Sequence, residues 1–418
     1  MERHGLAPRG SSRREGSAAT DLEPTRVLGL AGRFVVFIFT AVALSAGVNN
    51  IRAGSVSFTA DLAAFAGFVS WTLVLRYGSI PRLAGRVVGV FIAFLAWAVG
   101  ISMIDGATRQ GVQILMVLAA FLGALALTAT ARQAIGRSLD VAVGRCFRVT
   151  TCVVVGSLIL GAANVANVGG GDRPASIVAL ICLGWFLAEY RLGNSRGLWW
   201  SSAIVVAIAI SLSRTALFAG LVLVVFTLLL MTRKHRARNV ILVVLVLTAG
   251  YWAVTSWAPL RDRFTQGDTS LSVGGLRINA NGRTMIWGVL WSEAQHEILI
   301  GRGSGAASAR AASLNPAFTH PHNDYLRVVY DFGAVGIGLL TWFAIRTARS
   351  LKLIRKRSPN SVPALAALYA SIAVLIMMIT DNPLDYAFVM IPLGALIGLG
   401  LGFGRAAASR DFAPDFAD

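Results

Sequence analysis

Residues 320–336 read HPHNDYLRVVYDFGAVG, and they set two histidines, an asparagine, two aspartates and an arginine at the foot of an apolar run. The spacing is specific. His322 is followed at once by Asn323, then by nine residues, Gly333, two residues and Gly336. The run that follows is apolar enough for a membrane span of about 20 residues.

Outward from this stretch the chain is mostly apolar. Hydrophobic residues make up 56% and charged residues 14%, and mean hydropathy is +0.67. Soluble domains carry about 25% charged residues, so the composition predicts an all-α polytopic membrane protein. The apolar runs are continuous rather than alternating, which argues against a transmembrane β-barrel. About twelve spans are expected, near 28–47, 59–75, 87–104, 111–130, 149–165, 175–189, 198–212, 215–231, 239–258, 325–345, 363–380 and 386–404, at roughly 20 residues each. Small residues four apart in the third span, Gly89 with Ala93 and Ala96 with Gly100, suggest close helix approach there.

Net charge is +18 with a pI near 11.2. The charge follows topology rather than nucleic acid. Of the 38 basic residues, 27 lie in the N-terminal arm (with Arg33), the alternate connecting segments and the C-terminal tail. By the positive-inside rule these segments are cytoplasmic, and so are both termini. The domain reading is therefore a disordered cytoplasmic arm at 1–26, a nine-helix region at 27–258, an external loop at 259–324, a three-helix region at 325–404 and a cytoplasmic tail at 405–418. The apolar run 27–46 resembles a signal peptide, but its length and the charge alternation favour a first helix.

The external loop carries 282–300, GRTMIWGVLWSEAQHEILI, whose apolar residues recur at helical spacing. An amphipathic helix at the membrane surface is expected, with Trp287 and Trp291 at headgroup level. Its Gly-rich flanks read as loops. GRGSG at 301–305 lacks the setting and the Lys of a phosphate-binding loop. Cys146, Cys152 and Cys182 show neither a disulfide framework nor metal-ligand spacing.

Four groups can carry chemistry. Arg214, in the turn SLSRTALF, reads either as a snorkelling loop arginine or as an anchor for an anionic headgroup. Arg283, at the start of the loop helix, has the same two readings. A planar guanidinium suits phosphate oxygens, and two of them facing one cleft would suit a diphosphate. His320 and His322 lack further ligands at metal-site spacing. They read either as polar cap residues, with Asn323 or Asp324 as N-cap, or as a general base titrating near neutrality. Asp381, Asn382 and Asp385 form a polar turn or line the same cleft. Intramembrane acids are scarce, with Asp331 about two turns into the tenth span. Coupled transporters usually hold such groups at mid-depth.

The His322-Asn323 pair with Gly333 and Gly336, the long loop before it, Ser211-Leu212-Ser213-Arg214 upstream and Arg283 with Trp287 together resemble the bacterial O-antigen ligase and O-antigen polymerase superfamily. The resemblance covers about 28–404. It implies a GT-C-like, metal-independent inner-membrane glycosyltransferase that uses no cofactor and acts at the periplasmic face. The donor would be a glycan on undecaprenyl diphosphate. The acceptor would be a growing glycan, lipid A core or protein. By carry-over His322 is the base and Arg214 and Arg283 bind the diphosphate, with His320, Asn323, Trp287 and Arg302 as substrate-binding neighbours. Membrane lipid is the expected surround, and nucleic acid is not a partner. The alternative is a transporter or flippase of lipid-linked glycan, for which an external histidine would be dispensable.

Overall fold

The computed structural model describes residues 29–48, 52–53, 56–77, 79–162, 172–230, 236–265, 271–273, 276–278, 282–316 and 318–403. The arm at 1–26 and the tail at 405–418 lie outside these residues. A helix falls on each of the twelve apolar stretches: α1 (Gly29–Val42), α2 (Phe58–Tyr77), α3 (Arg82–Asp105), α4 (Arg109–Ile135), α5 (Arg137–Ala162), α6 (Asp172–Arg191), α7 (Arg196–Ile210), α8 (Arg214–Leu229), α9 (Arg236–Ser256), α13 (Asp324–Arg357), α14 (Val362–Met377) and α15 (Ala387–Leu401). Among the described residues, α3, α4, α5, α6, α9 and α13 are long and apolar enough to cross a membrane. Several shorter helices, α1, α7, α8, α14 and α15, are equally apolar in character. This is a multi-pass membrane protein.

Between α9 and α13 the chain is more structured than a loop with one helix. It forms α10 (Ala258–Thr265), an antiparallel pair β1 (Leu271–Val273) and β2 (Leu276–Ile278), α11 (Arg283–Ala294) and α12 (Ala306–Leu314). A second two-residue pair joins Arg52–Ala53 to Val56–Ser57.

The helices differ sharply in what surrounds them. The most apolar segments of α4 and α6 are each 83% buried in the protein, whereas that of α9 is 6% buried and shows Val244, Leu245 and Trp252 to its surroundings. α15 is apolar all round, and every one of its residues is buried. A helix of that kind belongs at the centre of a bundle. It packs on α4 and α14, while α4 also packs on α2, α6 on α14 and α7, and α13 on α3.

Close approach is concentrated on α15, not on the third span as expected. Gly89 and Gly100 of α3 meet nothing where a Cβ would stand. Gly394, Gly398 and Gly402, four apart, instead lie against the backbone oxygens of Phe121, Leu125 and Ala129 on α4, which are also four apart. With no water to compete, such backbone packing is a main source of helix association in lipid. Gly398→Val is expected to cost about 1–3 kcal/mol or more by overpacking, because the obstacle is main chain and cannot turn aside. Gly89→Val and Gly100→Val should cost little. Monodisperse yield in detergent, measured by fluorescence size-exclusion chromatography, separates the three variants, and equal yields would refute this account of the α4–α15 contact.

α13 is broken. Gly333 has φ 67° and ψ −169°, so 324–332 and 334–357 are two helices sharing one strand of chain. Only glycine adopts that conformation readily. A Cβ there would also fall 2.6 Å from the Ile300 carbonyl carbon. The segment 298–303 lies across the break and satisfies the backbone groups it frees. Ala334 N donates to Ile298 O at 2.6 Å, and Arg302 N donates to Tyr330 O and Asp331 O at 3.1 Å. Gly303 N donates to Asp331 O at 3.0 Å, and Trp97 Nε1 from α3 donates to Phe332 O at 2.9 Å. Broken helices are tolerated at membrane depth only when the protein satisfies the freed backbone in this way.

GRGSG therefore acts as a strap. Ser304 N donates to Ser102 Oγ and Ser304 Oγ donates to Gly111 O, which tie the strap to α3 and α4. Asp331 accepts from Gly305 N at 3.0 Å and Ala307 N at 2.8 Å, capping α12 from a neighbouring helix. The acid two turns into the tenth span is a cap for this strap.

Candidate active site

Two turns carry backbone strain. Among the described residues, Leu212 (φ 56°) and His322 (φ 53°) are the non-glycine residues with positive φ. They fall in the two motifs singled out upstream and downstream, SLSR and HPHN. Strained non-glycine residues cluster where function requires a fixed geometry. At His322 the left-handed turn redirects the chain so that Asn323, extended at φ −159°, caps α13 by accepting from Leu326 N at 3.0 Å. Pro321 is held from the far side, because Trp287 Nε1 of α11 donates to its carbonyl at 2.7 Å. Trp287 is thus an anchor for the histidine segment. Trp291 is half-exposed. α11 buries Ile286, Leu290 and Ala294 against α12 and α13, while Met285 and Trp291 face outward.

The turn between α14 and α15, residues 378–386, is where the distant motifs meet. Arg283 Nη1 donates to Thr380 O at 2.9 Å. The Thr380 hydroxyl bonds to that of Thr215, which directly follows Arg214 at the start of α8. Asp381 Oδ1 lies 3.9 Å from His322 Nδ1, beyond hydrogen-bonding distance. It accepts from Asn382 N at 2.8 Å and from Tyr386 OH at 3.3 Å, which fix the carboxylate. One short turn therefore meets Thr215, the neighbour of Arg214, together with Arg283 and His322, from three separate parts of the sequence.

Beneath His322 lies a buried charge network. Arg327 is 2% exposed and pairs with Asp324, itself fully buried, at 2.8 Å and with Asp385. Asp324 Oδ2 also accepts from Leu384 N at 2.9 Å, and Asp324 N donates to Met378 O at 2.9 Å. His320 Nδ1 stands 3.0 Å from Asp385 Oδ2 and 2.7 Å from Gln110 Nε2 of α4. Burial, with the Arg327 charge nearby, depresses the His320 pKa to about 4, so this imidazole is neutral at pH 7.

His322 differs from it. Burial lowers its pKa, and the Arg283 charge adds to that, while Asp381 acts in the opposite direction. Burial alone would raise the Asp381 carboxyl, but His322, the Asn382 amide and Arg283 outweigh it and hold the carboxyl below its ordinary value. At neutral pH the pair is a neutral imidazole beside a carboxylate, a state in which the imidazole can accept a proton.

Arg302 stands apart from this group. It is engaged by Glu297 at 3.0 Å, Tyr330 OH at 3.1 Å and the Glu293 carbonyl at 3.2 Å, and lies over the Tyr330 ring. Glu293 also pairs with Arg310 at 2.6 Å, which holds its carboxyl below the ordinary value. This network clamps α11 to α12 and α13. Sequence reasoning missed Arg327, Gln110, Thr215 and Thr380. Arg327 had one visible signal, an arginine two residues into an apolar run. The other three had none. Among the described residues, no group of three or more His, Cys, Asp or Glu side chains is placed to hold a metal ion.

Residues 199–343, about a third of the chain, match the family model described as O-Antigen ligase. This segment resembles O-antigen ligases, and the match supports the O-antigen ligase/polymerase superfamily. The matched segment begins in α7 and ends in α13, so it includes Arg214, Arg283, Trp287, both histidines, Asn323 and the Gly333 break. No curated protein matches the chain. The match supports a membrane glycan ligase or polymerase in general terms. The α14–α15 turn, with Thr380, Asp381 and Asp385, lies outside the matched segment, yet it is the piece that brings the motifs together.

Proposed function

We propose that the chain is a GT-C-like glycosyltransferase that moves a glycan from a polyprenyl diphosphate, undecaprenyl diphosphate in bacteria, to an acceptor hydroxyl. His322 takes the proton of the acceptor hydroxyl as its oxygen forms the bond to the anomeric carbon. The bond from that carbon to the diphosphate breaks, and the diphosphate leaves with the electron pair. Arg214 and Arg283 hold the diphosphate and offset the charge that builds on it. The sugar–diphosphate bond is already activated, so positioning and removal of one proton suffice, without a metal or cofactor. Asp381 stands 3.9 Å from Nδ1 of His322 and acts on the ring by its charge, which leaves Nε2 for the acceptor. His320, Asn323 and Trp287 shape the turn that presents His322, and Arg302 secures the strap behind it. The observation that supports this reading is that Thr215, next to Arg214, together with Arg283 and His322 borders the turn at 378–386.

The site opens on the periplasmic side of the inner membrane in this reading, with both termini in the cytoplasm, because most basic residues lie in segments at the other end. The domain division at 259–324 then marks the periplasmic portion. The acceptor is lipid A core or a growing polysaccharide.

A deletion strain complemented with wild type, His322→Ala or Arg283→Ala tests the reading, with glycans and lipid-linked intermediates analysed together. Loss of polymer with accumulation of single lipid-linked repeats identifies a polymerase. Long lipid-linked chains without their final acceptor identify a ligase. Normal product from His322→Ala would sink the assignment and favour transport of the lipid-linked glycan.

The pH profile offers a finer check. A base whose pKa lies below 6.5 keeps activity into mildly acidic pH and loses it as pH falls through that pKa. Asp381→Asn removes the anion that raises the His322 pKa while the Arg283 cation remains. The acid limb of the kcat profile should therefore move to lower pH. An acid limb that moves upward, or stays fixed, would show that Asp381 does not act on the base.

A further inference from the structure

α13 runs for 34 residues, more than the roughly 20 that a span needs. Its first end carries the candidate active site. Its other end carries six basic residues, Arg346, Arg349, Lys352, Arg355, Lys356 and Arg357. No Asp or Glu occurs in the sequence between Asp331 and Asp381.

The outward face of this helix changes character once. Val335, Trp342 and Ile345 are exposed apolar residues on it. At 3.6 residues per turn, Arg346, Arg349, Lys352 and Lys356 continue the same stripe, and all but the half-buried Arg346 are exposed. The opposite side is buried through Ser350, Leu351 and Ile354, and Leu351 meets α15 at Gly400. The switch from apolar to basic falls between Ile345 and Arg346, one turn after the exposed Trp342 indole. That order is the one found where hydrocarbon gives way to headgroups.

Other cations at this end of the bundle have carboxylates. Arg132 pairs with Asp140 at 2.8 Å, and Arg148 reaches Glu189 at 3.7 Å. On α13 none of the six pairs with a carboxylate among the described residues. Arg355, turned inward, has its Nε buried without a hydrogen-bond partner, and the charge acting on it is that of Arg191. Arg191 in turn donates to Tyr369 OH at 2.9 Å and to Leu230 O at 3.2 Å. The negative end of the helix dipole offsets only about half a charge, against six. Setting the orientation of a span requires basic residues in its flank, with no particular arrangement. Cations held in one row on a rigid helix, starting where the apolar face stops, also form a surface for a row of phosphates.

We propose that the stripe Arg346, Arg349, Lys352 and Lys356 binds the phosphodiester headgroups of anionic phospholipids, in the leaflet opposite the candidate active site. The stripe is about 15 Å long at 1.5 Å per residue. Its first half stands at headgroup depth, and its second half reaches the layer just above, where anionic lipid still attracts each cation. The surface is independent of the chemistry assigned to His322.

The test is native mass spectrometry on the delipidated full chain in detergent, with add-back of dioleoyl phosphatidylglycerol, dioleoyl phosphatidylcholine or glycerol phosphate. Wild type should retain phosphatidylglycerol in preference to phosphatidylcholine. Arg349→Gln/Lys352→Gln/Lys356→Gln should weaken phosphatidylglycerol binding roughly tenfold or more, and Lys352→Gln alone about fivefold. Lys352 is exposed, so the single variant decides the matter if the triple variant aggregates. Arg82→Gln/Arg86→Gln, which removes two exposed cations from the start of α3, should leave binding unchanged. An equal loss in that α3 variant would overturn the proposal, because the attraction would then belong to net charge and not to the stripe. Undiminished binding in the α13 variants, or glycerol phosphate bound as tightly as the lipid, would overturn it too. So would a wild type that shows no lipid preference and binds polyglutamate instead, which would make the stripe a surface for an acidic protein.

Discussion

His322→Ala is expected to reduce glycosyl transfer by about 10²–10⁴-fold, the usual contribution of a positioned general base. The loss should appear in kcat, with little change in the KM for the lipid-linked donor, because Arg214 and Arg283 would still hold the diphosphate. The geometry argues for a specific loss rather than a folding defect. His322 caps no helix itself, and the cap on α13 belongs to Asn323. The segment is also pinned from both sides, through Pro321 to Trp287 and through His320 to Gln110 and Asp385. Turnover of purified protein on a lipid-linked donor, with melting temperature as control, is the measurement. An unchanged kcat would remove His322 from the chemistry. His320→Ala should behave differently. It loses buried packing and contacts to Asp385, so melting temperature should fall along with activity.

Arg327→Met should unfold or badly weaken the protein. Removing one partner of a buried ion pair typically costs about 3–5 kcal/mol, because the remaining charge is stranded. Here two carboxylates are stranded at once, Asp324 at 0% and Asp385 at 8% exposure. Both also carry fold. Asp324 accepts the Leu384 amide and its own amide reaches Met378 O, so the start of α13 and the turn at 378–386 depend on it. Thermal denaturation in detergent gives the first reading. The triple variant Arg327→Met with Asp324→Asn and Asp385→Asn should recover much of the loss, since replacing all members of a buried charge cluster is often close to neutral. If the triple variant is no better than Arg327→Met, the cost comes from lost packing of the arginine stem and not from stranded charge.

The helical architecture was largely legible in the sequence, for a direct physical reason. A chain that must be apolar over about 20 residues at a time announces each segment in composition alone, and a helix lies on each of the twelve stretches read that way. The N-cap at Asn323, the long segment before α13 and the choice of Arg214, Arg283 and His322 were also local signals. Residues within one motif are read together because they are adjacent. Spacing placed the two loop tryptophans on one helix face, and there the local signal ended. Spacing shows that Trp287 and Trp291 share a face, but not whether that face meets lipid or Pro321.

The long-range relations had no comparable signal. Gly89 and Gly100 obey the small-residue spacing as well as Gly394 and Gly398 do, yet only the second pair meets another backbone. Spacing states what a helix permits, and the neighbour decides whether it is used. Asp331 reads in the sequence as an isolated intramembrane acid, whereas in the fold it caps the start of α12. Gly333 looked like part of a signature, and the strap at 298–303 shows why no other residue fits. The sequence by itself determined that this is a predominantly helical membrane protein, because the solvent imposes that pattern residue by residue. Tertiary structure alone decided that Arg283, His322 and the start of α8 beside Arg214 border one turn and that Arg327 pairs with Asp385 of that turn. Contacts between residues 50 to 170 apart depend on how helices pack, and no local pattern encodes that.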